Sequence, residues 1–397
     1  MRLPLIPIMS VLILGLLVDW YIYRAVRQRC RYHKSLWSGV ARWNGVLFAA
    51  GLLAIIAAPK KDGSDLSLRL LMWGIFAYAS VYVPKIIYVL CDLLGRIPQL
   101  FRRRRLRWPG RIGAAMGVFL FAALWWGALV NRFCLDVNTV RFESAELPAG
   151  FDGLRMVQIS DFHTGTYGTD TAFVAKVVDR INSLDPDVVV FTGDIVNRRS
   201  EELEPFVGVL SRLKARHGVY SILGNHDYGD YYHWPTPEAK AANLQLLKDM
   251  QARMGWKMLN NASATLYSGA DSLVLIGVEN IGDPPFAVYG DLDVAYPAVD
   301  DAAFKVLLSH NPAHWTEDIK DAPDKNIALT LSGHTHAMQT EIFGWSPAVF
   351  RYPTWGGMYS DGEGHSLYVN IGLGEVGFPA RIGATPEITL FDFVRKQ

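Results

Sequence analysis

Residues 113–130, GAAMGVFLFAALWWGALV, run for 18 positions without a charged side chain. A segment of that length and apolarity has the makings of a helix that crosses a bilayer. Three more apolar stretches precede it, at 3–23, 40–58 and 66–90. The expectation is therefore an all-α transmembrane region of about four helices over residues 1–135. The first stretch is not a signal peptide by pattern, since no small-residue cleavage site follows it and a basic cluster does. The third contains Pro84 and Lys85, which predicts a kink with the lysine snorkelling towards the membrane surface. A functional role for Lys85 would need a carboxylate, and the acids available in this half are Asp19, Asp62, Asp65 and Asp92.

Charge separates this half from the rest. Residues 1–135 carry 19 Lys and Arg against 4 Asp and Glu, whereas residues 136–397 carry 20 against 34. A basic apolar half suits anionic lipid, and an acidic second half argues against nucleic acid as a partner. Arg24, Arg27, Arg29, Arg31, Lys34 and Arg42 lie between the first two stretches, and Arg96, Arg102, Arg103, Arg104, Arg105, Arg107 and Arg111 between the last two. The middle loop offers only Lys60, Lys61 and Arg69, offset by Asp62 and Asp65. The positive-inside rule then sets both arginine-rich loops in the cytoplasm and residues 136–397 on the outer, periplasmic or extracellular face. Cys30, Cys91 and Cys134 all lie in or beside the apolar half, so no disulfide framework can be read.

Beyond residue 136 the pattern becomes that of an α/β domain, with short β-branched runs separated by amphipathic segments. The runs LRMVQIS, DVVVF, VYSIL, LVLIGVE, KVLLS, IALTLS, SLYVNI and EITLFDF are apolar nearly throughout, which predicts strands covered on both faces. Phe173, Val174, Val177, Val178, Ile181 and Leu184 fall at helical spacing, and a second helix is expected over residues 203–217 with Gly218 as its stop.

Five polar clusters follow these strands: Asp161-Phe162-His163, Gly193-Asp194, Gly224-Asn225-His226-Asp227, His310, and Gly333-His334-Thr335-His336. The carboxyl ends of strands are where an α/β sheet binds ligands, because loops converge there on rigid roots. Residues two apart, such as Asp161 and His163 or His334 and His336, can point the same way and grip one ion. A carboxylate has two oxygens, so Asp194 can bridge two cations about 4 Å apart. Mixed Asp, Asn and His donors without thiolates suit manganese, iron or zinc in a working site rather than a structural zinc. A single buried histidine is ordinarily a hydrogen-bonded core residue and a single Asp after a strand a helix cap. Five of the ten histidines recur beside Asp, Asn or Gly after an apolar strand, whereas His33, His217, His233, His314 and His365 lack that context.

The order D-x-H, G-D, G-N-H-D, H and G-H-T-H resembles the calcineurin-like metallophosphoesterase superfamily, over residues 154 to 394. The stretch from Gly372-Leu373-Gly374 to Pro386-Glu387-Ile388 looks like its bacterial membrane-associated branch. The resemblance implies a four-layer α/β/β/α sandwich over residues 136–397 with two divalent metal ions, manganese, iron or zinc. Asp161, His163, Asp194 and His336 would hold the first, and Asp194, Asn225, His310 and His334 the second. His226 would protonate the leaving group, with Asp227 positioning its imidazole, in hydrolysis of a phosphate ester by metal-activated water. Ala337-Met338-Gln339 stand where many relatives have two glycines, a departure that touches substrate fit. The aromatics Tyr228, Tyr231, Tyr232, Trp234, Trp345, Tyr352, Trp355 and Tyr359 flank the motifs, and the anchor favours a lipid phosphate or lipid-linked pyrophosphate as substrate. Two alternatives stand beside this: a cytoplasmic-face hydrolase of a nucleotide-linked lipid precursor, and a membrane phosphate sensor without activity.

Overall fold

The computed structural model describes residues 5–29, 34–57, 65–282, 284, 287–297, 303–320, 325–362 and 364–396. Cys30, Arg31, His33, Lys60, Lys61 and Asp62 lie outside the described residues. The chain forms two compact units, residues 1–129 with 377–380, and residues 130–376 with 381–397.

The first unit is helical: α1 (Leu5–Arg29), α2 (Lys34–Ala57), α3 (Asp65–Leu94), the short α4 (Ile97–Leu100) and α5 (Trp108–Leu129). The stretches Asp65–Leu100 and Trp108–Phe133 are long and apolar enough to cross a membrane. Small residues bring α3 and α5 together. A Cβ on Gly113 would come within 2.5 Å of Cys91 Cβ, and one on Gly117 within 3.1 Å of the Pro84 carbonyl. In lipid, where no hydrophobic force joins helices, such close backbone approach is a main source of packing energy.

Lys85 turns onto the neighbouring helices. Its Nζ lies 2.7 Å from Asp19 Oδ1 on α1 and 2.5 Å from Asn44 Oδ1 on α2, and the Tyr82 hydroxyl donates to Asp19 Oδ2 at 2.5 Å. An ammonium among apolar helices is stable when a carboxylate and further hydrogen bonds replace its water, and Asp19 is near enough to do so. Three helices thus meet at one polar node.

The second unit contains two six-stranded sheets. The first has the order β1-β12-β2-β3-β4-β5, with β1 (Asp136–Ser144), β2 (Arg155–Ile159), β3 (Val188–Phe191), β4 (Val219–Ser221), β5 (Lys257–Met258) and β12 (Glu387–Arg395). The second has the order β10-β11-β9-β8-β7-β6, with β6 (Ala262–Ser268), β7 (Asp271–Gly277), β8 (Phe304–Leu308), β9 (Leu329–Ser332), β10 (Gly357–Ser360) and β11 (Ser366–Val369). Side chains alternate along each strand, which explains why the runs are apolar throughout. From β3, Val188 and Val190 enter the core between the sheets with Met156, Leu275, Val306, Leu331 and Phe391, while Val189 and Phe191 face the helical layer. That layer contains α6 (Ala172–Ser183), whose Val174, Val177 and Ile181 pack against β2 and β3, together with the short α7 (Val207–Leu210) and α8 (Pro237–Arg253). On the far side Trp315 and Ile319 cover the second sheet at Ile276 and Leu307. The result is the four-layer α/β/β/α sandwich.

The helix expected over 203–217 is confined to the four residues of α7, preceded by 3₁₀ turns. Pro205 has no N–H to donate in that turn and Gly208 is a weak helix former, so the apolar period does not propagate. Strands β1, β5, β6 and β10 were not expected; they are half-exposed and lack the continuous apolar signature.

The polar node yields a test of the first unit. Lys85→Met leaves Asp19 without its cation among apolar helices and should destabilise the helical unit by about 3 kcal/mol, whereas Asp19→Leu/Lys85→Met should restore most of the loss. Thermal unfolding of the detergent-solubilised chain, read by intrinsic fluorescence, checks both; a double variant no better than the single one would contradict the pairing.

Candidate metal centre

Parallel register brings the motif loops level. Ile159, Phe191 and Ser221 lie side by side at the ends of β2, β3 and β4, as do Leu308 and Leu331 at the ends of β8 and β9. Three clusters therefore leave the first sheet and two leave the second, so the site straddles the carboxyl edges of two sheets rather than one. Backbone bonds tie the loops together: Asp161 N–H to Gly193 O at 2.9 Å, Gly333 N–H to His310 O at 2.9 Å, and Gly374 N–H to Asp161 O at 2.7 Å. The Asp161 carboxylate accepts the His334 N–H at 3.0 Å and so joins the sheets.

The donors form two groups, Asp161 with His163 and His336, and Asp194 with His310 and His334. In the first, His163 Nε2 and His336 Nε2 are 3.0 Å apart, and His336 Nε2 is 3.3 Å from Asp161 Oδ1. In the second, His310 Nε2 is 3.1 Å from both Asp194 Oδ2 and Asn225 Oδ1, and 3.3 Å from His334 Nδ1. The same Asp194 Oδ2 reaches to 3.7 Å from His163 Nε2, in the first group. All seven sequence-derived ligand candidates are thus gathered at one place.

Five of the seven, Asp161, His163, Asp194, His334 and His336, have φ between 47° and 74°. Side-chain-bearing residues rarely adopt this left-handed conformation, which is concentrated at functional sites. Each of the five lies in a loop that follows a strand and turns its side chain into one of the two donor groups. Crowding makes the neighbouring glycines necessary: a Cβ on Gly333 would collide with the Ser160 hydroxyl and the Asp161 carboxylate, and one on Gly224 with the Asp194 carboxylate.

Burial sets the protonation states. It holds His163 and His336 well below the usual imidazole range and brings His334 to about 3, so these rings stay neutral with lone pairs available. At His310 burial is outweighed by the Asp194 carboxylate, which lifts the imidazole to about 9. At Asp194 burial is likewise outweighed, by His310, and the carboxyl is held well below its usual range. Burial, and then the charge of Asp194, pushes Asp227 up to about 7. Converging neutral imidazoles beside buried carboxylates fit divalent cations: a proton can satisfy one facing pair of nitrogens, whereas a cation accepts lone pairs from all of them.

His226 and Asp227 are arranged differently from the expectation. The His226 Nδ1 lies 2.7 Å from the Asn197 carbonyl, and its ring stacks on Tyr231 with centroids 4.2 Å apart. The Asp227 carboxylate instead accepts backbone N–H bonds from Asp194, Ile195, Val196 and Gly224 at 2.9–3.2 Å. It braces the loops that carry Asp194 and Asn225, because four converging amides are a better partner for a buried carboxylate than one imidazole.

Sequence reasoning treated Tyr231 and Tyr352 only as aromatics near the motifs, and missed Asn197 and Arg381. The Tyr231 hydroxyl accepts from Asn225 Nδ2 at 2.8 Å, which turns the amide oxygen towards His310. The Tyr352 hydroxyl lies 2.9 Å from His334 Nε2. The fully buried Arg381 donates to the carbonyls of Ile371, Gly374 and Ala384 behind His336. The one available signal was Tyr231, six residues after Asn225. His314 and His365 hold ordinary partners, Ser309 at 2.9 Å and Asp361 at 2.8 Å.

Two facing sheets with paired Asp and His donors at their carboxyl edges define a metal-dependent phosphoester hydrolase. The profile described as calcineurin-like phosphoesterase matches residues 154–338, and one described as a probable calcineurin-like phosphoesterase transmembrane domain matches residues 1–132. The Bacillus subtilis metallophosphoesterase YkuE is 32% identical over 267 residues, 65% of this chain and 85% of that protein. A Danio rerio transmembrane protein with metallophosphoesterase domain is 31% identical over 261 residues, 64% of this chain and 56% of its own length. The UDP-2,3-diacylglucosamine pyrophosphatase LpxG of Chlamydia trachomatis is 30% identical over 254 residues, 55% of this chain and 74% of that one. The chain belongs to the calcineurin-like phosphoesterase family, with a transmembrane domain ahead of the catalytic one.

Gly333→Ala should lower bound metal and reduce turnover at least about tenfold, because its methyl group displaces Asp161 from the donor set. Metal analysis by mass spectrometry beside far-UV circular dichroism checks this; full metal content with unchanged turnover would show that the loop yields.

Proposed function

We propose that residues 136–397 hydrolyse a phosphate ester or pyrophosphate of a lipid on the outer face of the membrane that holds residues 1–135. The observation that carries the reading is the pair of donor groups reached by one carboxylate, Asp194, whose Oδ2 is 3.1 Å from His310 Nε2 and 3.7 Å from His163 Nε2. Two divalent cations, manganese, iron or zinc, held by Asp161, His163, Asp194 and His336 and by Asp194, Asn225, His310 and His334, would supply Lewis-acid charge and a water of lowered pKa.

The protein's own groups do the rest. With its Nδ1–H given to the Asn197 carbonyl, His226 exchanges protons only at Nε2, the atom from which the imidazolium protonates the departing oxygen. Tyr231 fixes the plane of that ring by stacking on it. With His334 Nδ1 turned towards His310, its Nε2–H is donated to the Tyr352 hydroxyl, which keeps the ring in one orientation. Asp227 holds the loops on which Asp194 and Asn225 stand.

The lipid assignment draws on the transmembrane domain and on the likeness to LpxG, whose name gives an acylated, UDP-linked sugar as its substrate. That name also favours a nucleotide-linked lipid as substrate, which with an inverted topology gives a second reading, hydrolysis at the cytoplasmic face. Loop charge separates the two, since six basic residues between the first two stretches and seven between the last two favour the outer face for the catalytic unit.

Asp194→Asn should abolish hydrolysis of an aryl phosphate and lower metal content, since an amide cannot neutralise two cations. His226→Ala should lower kcat by about 10² to 10⁴ with metal content intact. Metal analysis and steady-state kinetics on the two variants separate ligand from proton donor, and loss of metal from the second would move His226 into the ligand set. Orientation has its own test: a phosphatase reporter that works only after export, fused behind Gln397, should be active. A dark reporter would put the cytoplasmic reading first.

A further inference from the structure

Between His336 and Tyr352 the chain leaves the metal centre, forms a hairpin and returns to place the Tyr352 hydroxyl against His334. The excursion starts with four successive residues in the left-handed region, His336, Ala337, Met338 and Gln339, at φ 45–55°. Its base is held firmly: Ser346 Oγ donates to Ala337 O at 2.6 Å, Ile382 N–H to Gln339 O at 2.8 Å, and Glu341 N–H to Ile382 O at 2.8 Å.

The tip is a two-residue turn. Ile342 N–H bonds Trp345 O at 2.8 Å and Trp345 N–H bonds Ile342 O at 3.1 Å, with Phe343 at φ 53° and Gly344 at φ 76°. Turns of this mirror-image kind favour Asn or Gly at both central positions. Phenylalanine is strained there, and it points its ring wholly outwards. Phe343 is 105% exposed, Phe350 83%, Ile342 51%, Trp345 48% and Met338 47%. The Trp345 and Phe350 rings pack edge-on, 6.0 Å apart, so these side chains make one patch. A firm stem, a strained apex and a cluster of bare apolar side chains together mark a surface meant to be covered.

The chain itself says what covers it. Residues 1–132 form a transmembrane domain, and six residues, a reach of about 20 Å, join Leu129 at the end of α5 to Asp136 at the start of β1. A bilayer is therefore always within range of this unit. Tryptophan is the residue most at home at the boundary of headgroups and acyl chains, and Arg351 stands at the foot of the patch, its guanidinium bonded to Pro284 O.

We propose that the tip formed by Ile342, Phe343, Trp345 and Phe350 inserts into the headgroup–acyl boundary of the bilayer, docking the metal centre's own loop onto the lipid surface. The inference rests on the membrane domain and not on the identity of the substrate.

The test uses the full chain in vesicles of phosphatidylethanolamine and phosphatidylglycerol, with a nitroxide at Phe343→Cys after Cys30, Cys91 and Cys134 are changed to serine. Collision with oxygen should exceed collision with a water-soluble nickel chelate by at least about fivefold relative to the same label at Tyr267→Cys, an exposed strand position. Equal nickel accessibility at the two sites overturns the proposal. So does spin–spin broadening that disappears on dilution with unlabelled protein, which would give the patch to a second copy. A measurement that leaves the cysteines alone uses Phe343→Ser/Phe350→Ser. Turnover of a soluble aryl phosphate should be unchanged, while turnover of a phosphatidic acid presented in vesicles falls about tenfold. An equal effect on both substrates, or none, overturns the docking role. A wild-type enzyme inert towards lipid phosphates would count against the substrate reading alone, and the nitroxide measurement would still decide the tip.

Discussion

Lone pairs held at hydrogen-bonding distance from one another and shut away from water repel, and the catalytic unit is organised around that repulsion. Four imidazoles, two carboxylates and an amide oxygen converge where burial forbids most of the imidazoles a proton. Members of such a set hold their places when they are anchored from behind. The anchors are visible: four amides on Asp227, the Asn197 carbonyl on His226, Tyr231 on Asn225, Tyr352 on His334, and the carbonyl cage of Arg381 behind His336. The two sheets supply level roots for the loops, and glycine supplies room where two loops would otherwise meet.

How much of this was legible in the sequence depends on the range of the interaction concerned. Strands covered on both faces are written as unbroken apolar runs, and β2, β3, β8, β9 and β12 were accordingly found within a residue or two of their ends. Half-exposed β1, β6 and β10 carry mixed patterns and were passed over, as was α8, whose apolar residues do not gather on one face. Donor types at strand ends were readable because each motif is local. Their supports were not, because they join residues far apart in the chain, such as Asn197 to His226 and Tyr352 to His334.

Asp227 illustrates the limit. Adjacent to His226 in sequence, it was expected beside the imidazole, but neighbouring side chains in a tight turn can point apart, and this one turns inward to meet four amides. The departure at Ala337-Met338-Gln339 shows the converse. The change of residue was plain, yet its effect was not, for these residues keep the left-handed backbone that glycine would adopt easily and hold it through bonds to Ser346 and Ile382.

The pairing of Lys85 with Asp19 has a consequence for biogenesis. The two residues are 66 positions apart, on the third helix and the first. A ribosome delivers α1 long before Lys85 emerges, so the carboxylate must wait for its partner. The lysine, for its part, gains nothing from entering alone. Insertion and assembly of these helices are thereby linked: without α1, the Lys85 ammonium on α3 lacks the carboxylate that it faces here.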